Sequence, residues 1–322
     1  MKVTYDRDRN EGLVTVSQIL ATDQRQQRRR TRWAIGIILP ALLTIPLLAQ
    51  ERPRILIITD LEGVGGINDR EEQILPGQRR FEESRRLLIG EVNAAVEGAL
   101  KGGAREVVVW DGHDGSRTLS IDEIHPRALL IQGRPTPADY YLSERQYDGI
   151  MFVGQHAMAG AAGPLAHSQS SATIERITLN GRPVGEIGQV AAIGGYFNVP
   201  TIMLSGDDTA CRELLELQPK AETVAVKRLV GKASTLSLSH AEAKVRIEAA
   251  TRRAVERLHE FSPWKLEGPV ELKFEYWPET PGVPSAALRR EGKDVQPKTV
   301  TYRGRTVLDA YEQWLGKIET RR

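Results

Sequence analysis

"RILIITDLEGVGGI" (residues 54–67) is the stretch of sequence that decides the fold. Its run of branched apolar residues is typical of a strand buried on both faces of a parallel sheet. The run ends at Asp60 and Glu62, whose charges are costly to bury unless a partner compensates them. The glycines that follow do not match the dinucleotide-binding fingerprint, because residue 68 is Asn. We therefore expect a charged site, not a phosphate loop, at the end of this strand.

Strand-like and helix-like segments alternate from residue 53 onward, which predicts an α/β fold with a mostly parallel sheet flanked by helices. The pattern changes after Trp264. There "GPVELKFEYW" (268–277) and a helix near "RTVLDAYEQWLGKI" (305–318) predict a smaller α+β C-terminal lobe. We assign residues 51–263 to the α/β catalytic domain and residues 264–322 to this lobe. The lobe could also be an integral part of the same domain.

Residues 1–50 form a separate segment, a basic leader followed by a signal peptide or anchor. The basic cluster before the apolar run 33–49 is typical of a secretory signal, which we place at about residues 25–49. This predicts a periplasmic or secreted protein, with membrane contact only if the segment stays uncleaved as an anchor. Leu47 favours the anchor, since a small residue is usual three positions before a cleavage site, whereas Pro40 and Pro46 favour cleavage.

Charge and cysteine content exclude two classes of protein. Residues 1–33 hold eight Lys or Arg against four Asp or Glu, a net charge of +4, while the whole chain carries only +2. The remainder is therefore slightly acidic, and we expect no binding to nucleic acid. The single cysteine excludes a disulfide scaffold.

Acids and histidines collect where the predicted strands end. Asp60 and Glu62 follow the first strand, His113 follows "EVVVW" (106–110), and His156 follows "GIMFVGQ" (149–155). Parallel neighbouring strands would bring these side chains to one edge of the sheet. His167 in "GPLAHSQSS" and Glu186 in "GRPVGEIG" come shortly afterwards. Carboxylates and imidazoles together are ligands suited to zinc, and also to manganese or cobalt.

The number of candidate ligands predicts two metal ions. A single catalytic zinc usually has three protein ligands, so five candidates are too many for one ion. Five residues supply two ions with three bonds each if one carboxylate bridges them, as in two-metal hydrolases. His167 is then left for proton transfer or transition-state stabilisation. The five candidate ligands are Asp60, Glu62, His113, His156 and Glu186.

Each of these residues also has an ordinary structural interpretation. Asp60 could cap a turn, Glu62 could be solvated, and Glu186 could cap the helix that begins near it. His113 could lie in a loop, and His156 could be a buried histidine with its hydrogen bonds satisfied. Only their joint position at strand ends favours the metal site.

Several motifs together resemble the zinc-dependent D-aminopeptidases of the bacterial dipeptide-permease operon. They are "TDLEGVGGI" (59–67), "VVVWDGHDGS" (107–116), "FVGQHAMAG" (152–160), "GPLAHSQS" (163–170), "NGRPVGEIGQ" (180–189) and "SGDD" (205–208). The resemblance begins near Arg54, is densest between Asp60 and Asp208, and fades after Trp264. It implies an α/β enzyme with two zinc ions that assembles into a ring-like homo-oligomer and cleaves peptides with an N-terminal D-residue.

The resemblance also implies a role for each candidate residue. Asp60 would be the bridging carboxylate and Glu62 a ligand of one zinc. His113, His156 and Glu186 would complete the two coordination spheres, and His167 would be the catalytic histidine. An export signal is unusual for that family, and here it suggests peptidoglycan-derived peptides as substrates.

Our hypothesis from the sequence is a di-zinc aminopeptidase of D-Ala-D-Ala type that acts through a metal-bridging hydroxide. Two alternatives stay open. One is another di-metal amide or phosphoester hydrolase on the same scaffold, and the other is a non-catalytic peptide-binding protein.

Overall fold

A computed structural model describes residues 51–277 and 297–319, so the predicted leader and signal peptide lie outside the described residues. Within these ranges no helix is both long enough and apolar enough to cross a membrane.

The described residues form eleven strands and six α-helices. The strands are β1 (Arg54–Thr59), β2 (Glu106–Trp110), β3 (Ala128–Ile131), β4 (Gly149–Gln155), β5 (Ile174–Leu179), β6 (Arg182–Pro183), β7 (Thr201–Asp207), β8 (Glu222–Val230), β9 (Ser234–Ser237), β10 (Val270–Tyr276) and β11 (Lys298–Gly304). The helices are α1 (Arg70–Gln73), α2 (Phe81–Lys101), α3 (Glu186–Tyr196), α4 (Asp208–Leu217), α5 (His240–Glu256) and α6 (Val307–Glu319).

Seven strands form one sheet in the order β3-β2-β1-β4-β7-β8-β9. All neighbouring strands are parallel except β8 and β9, which form an antiparallel pair at one edge. The predicted mostly parallel α/β sheet is therefore confirmed. Strand β9 and the single turn of helix α1 were not predicted, because both are short and neither has a clear hydrophobic period.

Strand β1 lies in the middle of this sheet and is buried on both faces. Ile55 and Ile57 pack into a core with α2 and α5 on one face. Leu56 and Ile58 pack into a second core with α3 and α4 on the other. This two-sided burial explains why the strand is a continuous run of branched apolar residues and not an alternating one.

The remaining four strands form an antiparallel sheet in the order β11-β10-β5-β6. Strands β5 and β6 form a hairpin, and Asn180 and Gly181 in its turn both have positive φ, 48° and 79°. Strand β10, from the predicted C-terminal lobe, pairs with β5 of the predicted catalytic domain. One sheet thus contains strands from both sides of residue 264, while the division into domains stays a prediction.

Candidate metal centre

The carboxyl ends of three neighbouring strands, β2, β1 and β4, form the floor of the candidate site. Asp60 directly follows β1, His156 directly follows β4, and His113 lies three residues beyond the end of β2. Since these strands are parallel, their last residues meet at one edge of the sheet. Glu186 joins them as the first residue of α3, and His167 reaches them from the loop between β4 and β5.

Asp60 lies at the centre of the cluster, with one carboxylate oxygen near each of two histidines. Its Oδ1 atom lies 3.0 Å from Nδ1 of His113. Its Oδ2 atom lies 3.1 Å from Nε2 of His156. A carboxylate in this position can bind two ions, one through each oxygen.

Glu62 and Glu186 each lie beside a different histidine. Oε2 of Glu62 is 3.0 Å from Nδ1 of His113. Oε1 of Glu186 is 3.6 Å from Nε2 of His156. Each half of the cluster therefore contains one histidine, one glutamate and one oxygen of Asp60, which is the three-ligand set expected for each of two ions.

His167 lies beside both halves. Its Nε2 atom is 3.9 Å from Oε1 of Glu62, and its ring stacks on that of His156 with centroids 4.0 Å apart. The structure thus brings all six residues predicted from the sequence into one cluster. Two groups of three in it have ligand atoms that all lie within 4.8 Å of one another, and they divide the cluster differently: Asp60, Glu62 and His156 form one, His156, His167 and Glu186 form the other, and His113 belongs to neither. His167 is thus also within reach of an ion, although we predicted it only as a catalytic group.

Each of the three histidines has one ring nitrogen next to a backbone carbonyl oxygen. Nε2 of His113 is 2.9 Å from the oxygen of Ile74, and Nδ1 of His156 is 2.8 Å from that of Ala157. Nδ1 of His167 is 3.0 Å from the oxygen of Leu165. A carbonyl accepts only, so these nitrogens carry the protons and donate them. When the ring is neutral, its other nitrogen therefore carries the lone pair and is the one that can bind a metal ion, as in metal-binding histidines.

The carboxylates shift the pKa of the two histidines nearest to them. Burial alone would lower the pKa of His113, but Glu62 and Asp60 raise it well above its usual value. Burial is likewise outweighed at His156, where Asp60 and Glu186 raise the pKa. The carboxylates of the cluster therefore favour a positive charge at the positions of His113 and His156.

The pKa values of Glu186, Glu62 and His167 shift in the opposite direction. Burial opposes ionisation of Glu186, yet His156 holds its pKa down to about 2. Glu62, although buried, also has a lowered pKa because His113 lies beside it. Burial and the neighbouring His156 lower the pKa of His167. Glu62 and Glu186 thus stay ionised at neutral pH, while His167 is neutral.

Two buried atoms of the cluster indicate that its residues fit metal ions. Among the described residues, neither Oε2 of Glu62 nor Nε2 of His156 has a partner in hydrogen-bond geometry. Buried polar atoms of this kind are costly unless a ligand satisfies them. Carboxylate oxygens and imidazole nitrogens are donors that suit zinc, so both the donor set and the unpartnered atoms fit the predicted pair of ions.

Gln155 is a site residue that the sequence analysis missed. Its Nε2 atom lies 3.2 Å from Oδ2 of Asp60 and 3.4 Å from Oε2 of Glu186, so its amide holds two carboxylates in place. The backbone N–H of Gln169 donates to Glu186 as well, at 2.8 Å. The only signal for Gln155 in the sequence is its position at a strand end, immediately before His156.

The loop after Asp60 is held against the sheet by its backbone. Gly63 donates its N–H to the carbonyl oxygen of Gly154 at 2.7 Å, and a Cβ at residue 63 would overlap the carbonyl oxygen of Gln155. Only glycine permits this approach. The buried Lys227 on β8 donates to the carbonyl oxygens of Glu62 and Ile67, which fixes the loop from the other side.

An open cleft of about 560 Å³ lies over the cluster. Asp60, Glu62, His113, His167 and Glu186 all contribute to its lining. Arg70, at its edge, donates to the carbonyl oxygen of Leu165 and so supports the loop that carries His167. The cluster is therefore accessible to a ligand the size of a short peptide.

Comparisons with known proteins cover this whole region. The family model Peptidase_M55, described as D-aminopeptidase, matches residues 54–315. The D-aminopeptidase of Bacillus subtilis (strain 168) is 29% identical over 269 residues, which span 83% of this chain and 97% of that protein. The chain is also similar to a solved structure described as the Zn-dependent D-aminopeptidase DppA from Bacillus subtilis, a self-compartmentalizing protease. The TM-score is 0.71 and the sequence identity is 26%, and the match covers 83% of this chain and 97% of that one. All six candidate residues lie within the matched range.

Proposed function

The chain belongs to the D-aminopeptidase family Peptidase_M55, and we propose that it is a two-zinc aminopeptidase that cleaves peptides with an N-terminal D-residue, including those of D-Ala-D-Ala type. The observation that carries the proposal is the position of Asp60, with its two oxygens 3.0 Å and 3.1 Å from the ring nitrogens of two different histidines. A zinc-dependent relative of similar fold supports the choice of metal.

Five residues would hold the two ions. His113 and Glu62 would bind one ion, His156 and Glu186 the other, and Asp60 both. Zinc bound there would supply Lewis acidity for the scissile carbonyl and would acidify a water molecule. Gln155 keeps Asp60 and Glu186 oriented through its amide hydrogens.

His167 is the group that moves a proton. Its Nδ1 donates to the carbonyl oxygen of Leu165, so Nε2 keeps the lone pair, and the residue lines the cleft. Since burial keeps its pKa low, the ring is neutral and can accept a proton from the attacking water at Nε2. The protonated ring can then donate the same proton to the amine that leaves, which completes hydrolysis of the peptide bond.

Turnover of paired substrates tests the proposed function. Purified full-length protein is supplied with zinc and assayed with D-Ala and L-Ala anilides and with D-Ala-D-Ala. We expect cleavage of the D-substrates with little activity on the L-anilide. Equal cleavage of both enantiomers would refute the proposed D-specificity. If neither enantiomer is cleaved, the proposed peptidase function is refuted.

We propose two further properties with this function. The relative of known structure is described as self-compartmentalizing, which supports a homo-oligomer for this chain as well. The basic and apolar pattern of residues 25–49 supports export to the periplasm or beyond. Light scattering of the purified protein tests the first property, and N-terminal sequencing of the protein from the exported fraction tests the second.

A further inference from the structure

A smaller cavity of about 140 Å³ lies beside the metal cluster. Asp60 and Glu186 line both this cavity and the open cleft, so the two spaces meet at the acidic groups. The rest of the cavity lining is mainly apolar and aromatic. Its aromatic members are Trp110, Tyr140, Phe152, Tyr311 and Trp314. The cavity is thus lined by acidic side chains shared with the cleft and by a set of aromatic side chains.

Ring-to-ring contacts connect four of these five aromatic side chains. Trp110 and Tyr140 have centroids 5.6 Å apart, Tyr140 and Tyr311 are 6.1 Å apart, and Tyr311 and Trp314 are 5.9 Å apart. These separations are those of favourable aromatic pairs. Tyr311 and Trp314 come from α6, so the last helix of the chain completes the wall of a cavity next to the metal cluster.

Two side chains of this wall carry hydrogen-bond groups that the protein leaves unused. Tyr311 is fully buried, and Trp110 is only 5% exposed. Among the described residues, neither the hydroxyl of Tyr311 nor Nε1 of Trp110 has a hydrogen-bond partner. Unpartnered buried donors are rare in folded proteins and indicate an expected ligand or water.

We infer that this cavity binds the side chain of the substrate's first residue and selects a large apolar side chain, an aromatic ring above all. The inference rests on the proposed aminopeptidase function, in which the free amine and scissile bond lie at the metal cluster. A cavity of this size holds a group as large as benzene, whereas the methyl group of alanine leaves most of it unfilled. The negative face of an aromatic ring also accepts weak hydrogen bonds from N–H and O–H donors such as those of Trp110 and Tyr311, whereas an aliphatic side chain accepts none.

A substrate series on zinc-loaded full-length protein tests the inference. The substrates are D-Phe, D-Leu and D-Ala peptides that share the same second residue. We expect kcat/KM for the D-Phe peptide to exceed that for D-Ala by about tenfold or more, with D-Leu between them. A kcat/KM for D-Ala equal to or above that for D-Phe would overturn it.

A variant that fills the cavity gives a second test. Ala138 lines the cavity, and Ala138→Leu should reduce kcat/KM for D-Phe by about tenfold or more while leaving D-Ala little changed. Ala221→Leu is the control, because Ala221 packs against the same core but does not line the cavity. Equal effects of Ala138→Leu on both substrates would contradict the inference, and they are the result expected if the cavity holds only water.

Binding without turnover separates this inference from the proposed function. Calorimetry compares D-phenylalanine amide with D-alanine amide as ligands of the zinc-loaded protein. Tighter binding of the phenylalanine amide, weakened by Ala138→Leu, supports the cavity assignment even if no peptide is cleaved. Equal affinities refute it even if D-Ala-D-Ala is a good substrate.

Discussion

The rings of His156 and His167 stack with their planes 13° apart, yet their surroundings shift their pKa values in opposite directions. Asp60 and Glu186 raise the pKa of His156, while burial and His156 itself lower that of His167. The two adjacent imidazoles therefore differ in the form they favour: His156 favours the protonated ring, whereas His167 favours the neutral ring that its proposed role as proton acceptor requires.

The first prediction concerns His167. His167→Ala should retain the zinc content of the protein and lower kcat by about 10²–10⁴-fold, since it removes the proton carrier but none of the five proposed ligands. Metal analysis and turnover of a D-aminopeptide measure the two effects. His125→Ala is the matched control, because His125 pairs with Glu97 outside the cluster. Near-normal kcat in His167→Ala would show that another group moves the proton.

The second prediction concerns the amide that orients two carboxylates. Gln155→Met keeps the approximate shape of the side chain but removes the donor to Asp60 and Glu186. We expect zinc affinity or kcat to fall by about 10–100-fold, as for other residues that orient metal ligands. A zinc titration measures the affinity.

Gln218→Met is the control for this variant. Gln218 is also buried, and its amide donates to the carbonyl oxygen of Ser262, away from the cluster. If both variants bind zinc equally well, Gln155 is part of the core and does not orient the ligands.

The third prediction compares two glycines of one loop. Gly63→Ala should lower the free energy of unfolding by about 1–3 kcal/mol, because the new Cβ would overlap the carbonyl oxygen of Gln155. At Gly65 the nearest atom to a new Cβ is 3.5 Å away, which is ordinary contact, so Gly65→Ala should be tolerated. Denaturant unfolding of both variants measures the difference. Equal stabilities would mean that the loop can move away from β4.

The fourth prediction is a pH dependence of stability. Burial raises the pKa of Glu91 from its ordinary value of 4.5 to about 8. A carboxyl whose pKa is higher in the folded state stabilises that state while protonated. Its contribution is therefore full below pH 4.5 and is lost as the pH rises towards 8.

Glu91→Gln removes this titration. We expect the free energy of unfolding to fall less between pH 5 and pH 8 in the variant than in the parent protein, by on the order of 2 kcal/mol. Glu82→Gln, at an exposed position of the same helix, should leave the pH profile unchanged. Parallel profiles of parent and Glu91→Gln would show that Glu91 is ionised at neutral pH.

The sequence predicts those parts of the fold and site that depend on local pattern. The apolar run of β1 reveals its burial, and acids or histidines directly after such runs reveal Asp60, Glu62 and His156. The role of Gln155 could not be predicted, because it depends on contacts with Asp60 and Glu186. These residues come close to Gln155 only when β1 pairs with β4 and α3 packs beside them. The aromatic cavity likewise depends on α6 packing against Tyr140, since the contact between Tyr140 and Tyr311 joins residues 171 positions apart and no local period encodes it.

The metal content of the purified full-length protein tests the central claim most directly. We expect about two zinc ions per chain and a clear loss in Asp60→Asn, because the two oxygens of Asp60 lie next to two different histidines. Asp122→Asn, at an exposed position, should keep both ions. A content well below two per chain that Asp60→Asn leaves unchanged would contradict the two-metal centre.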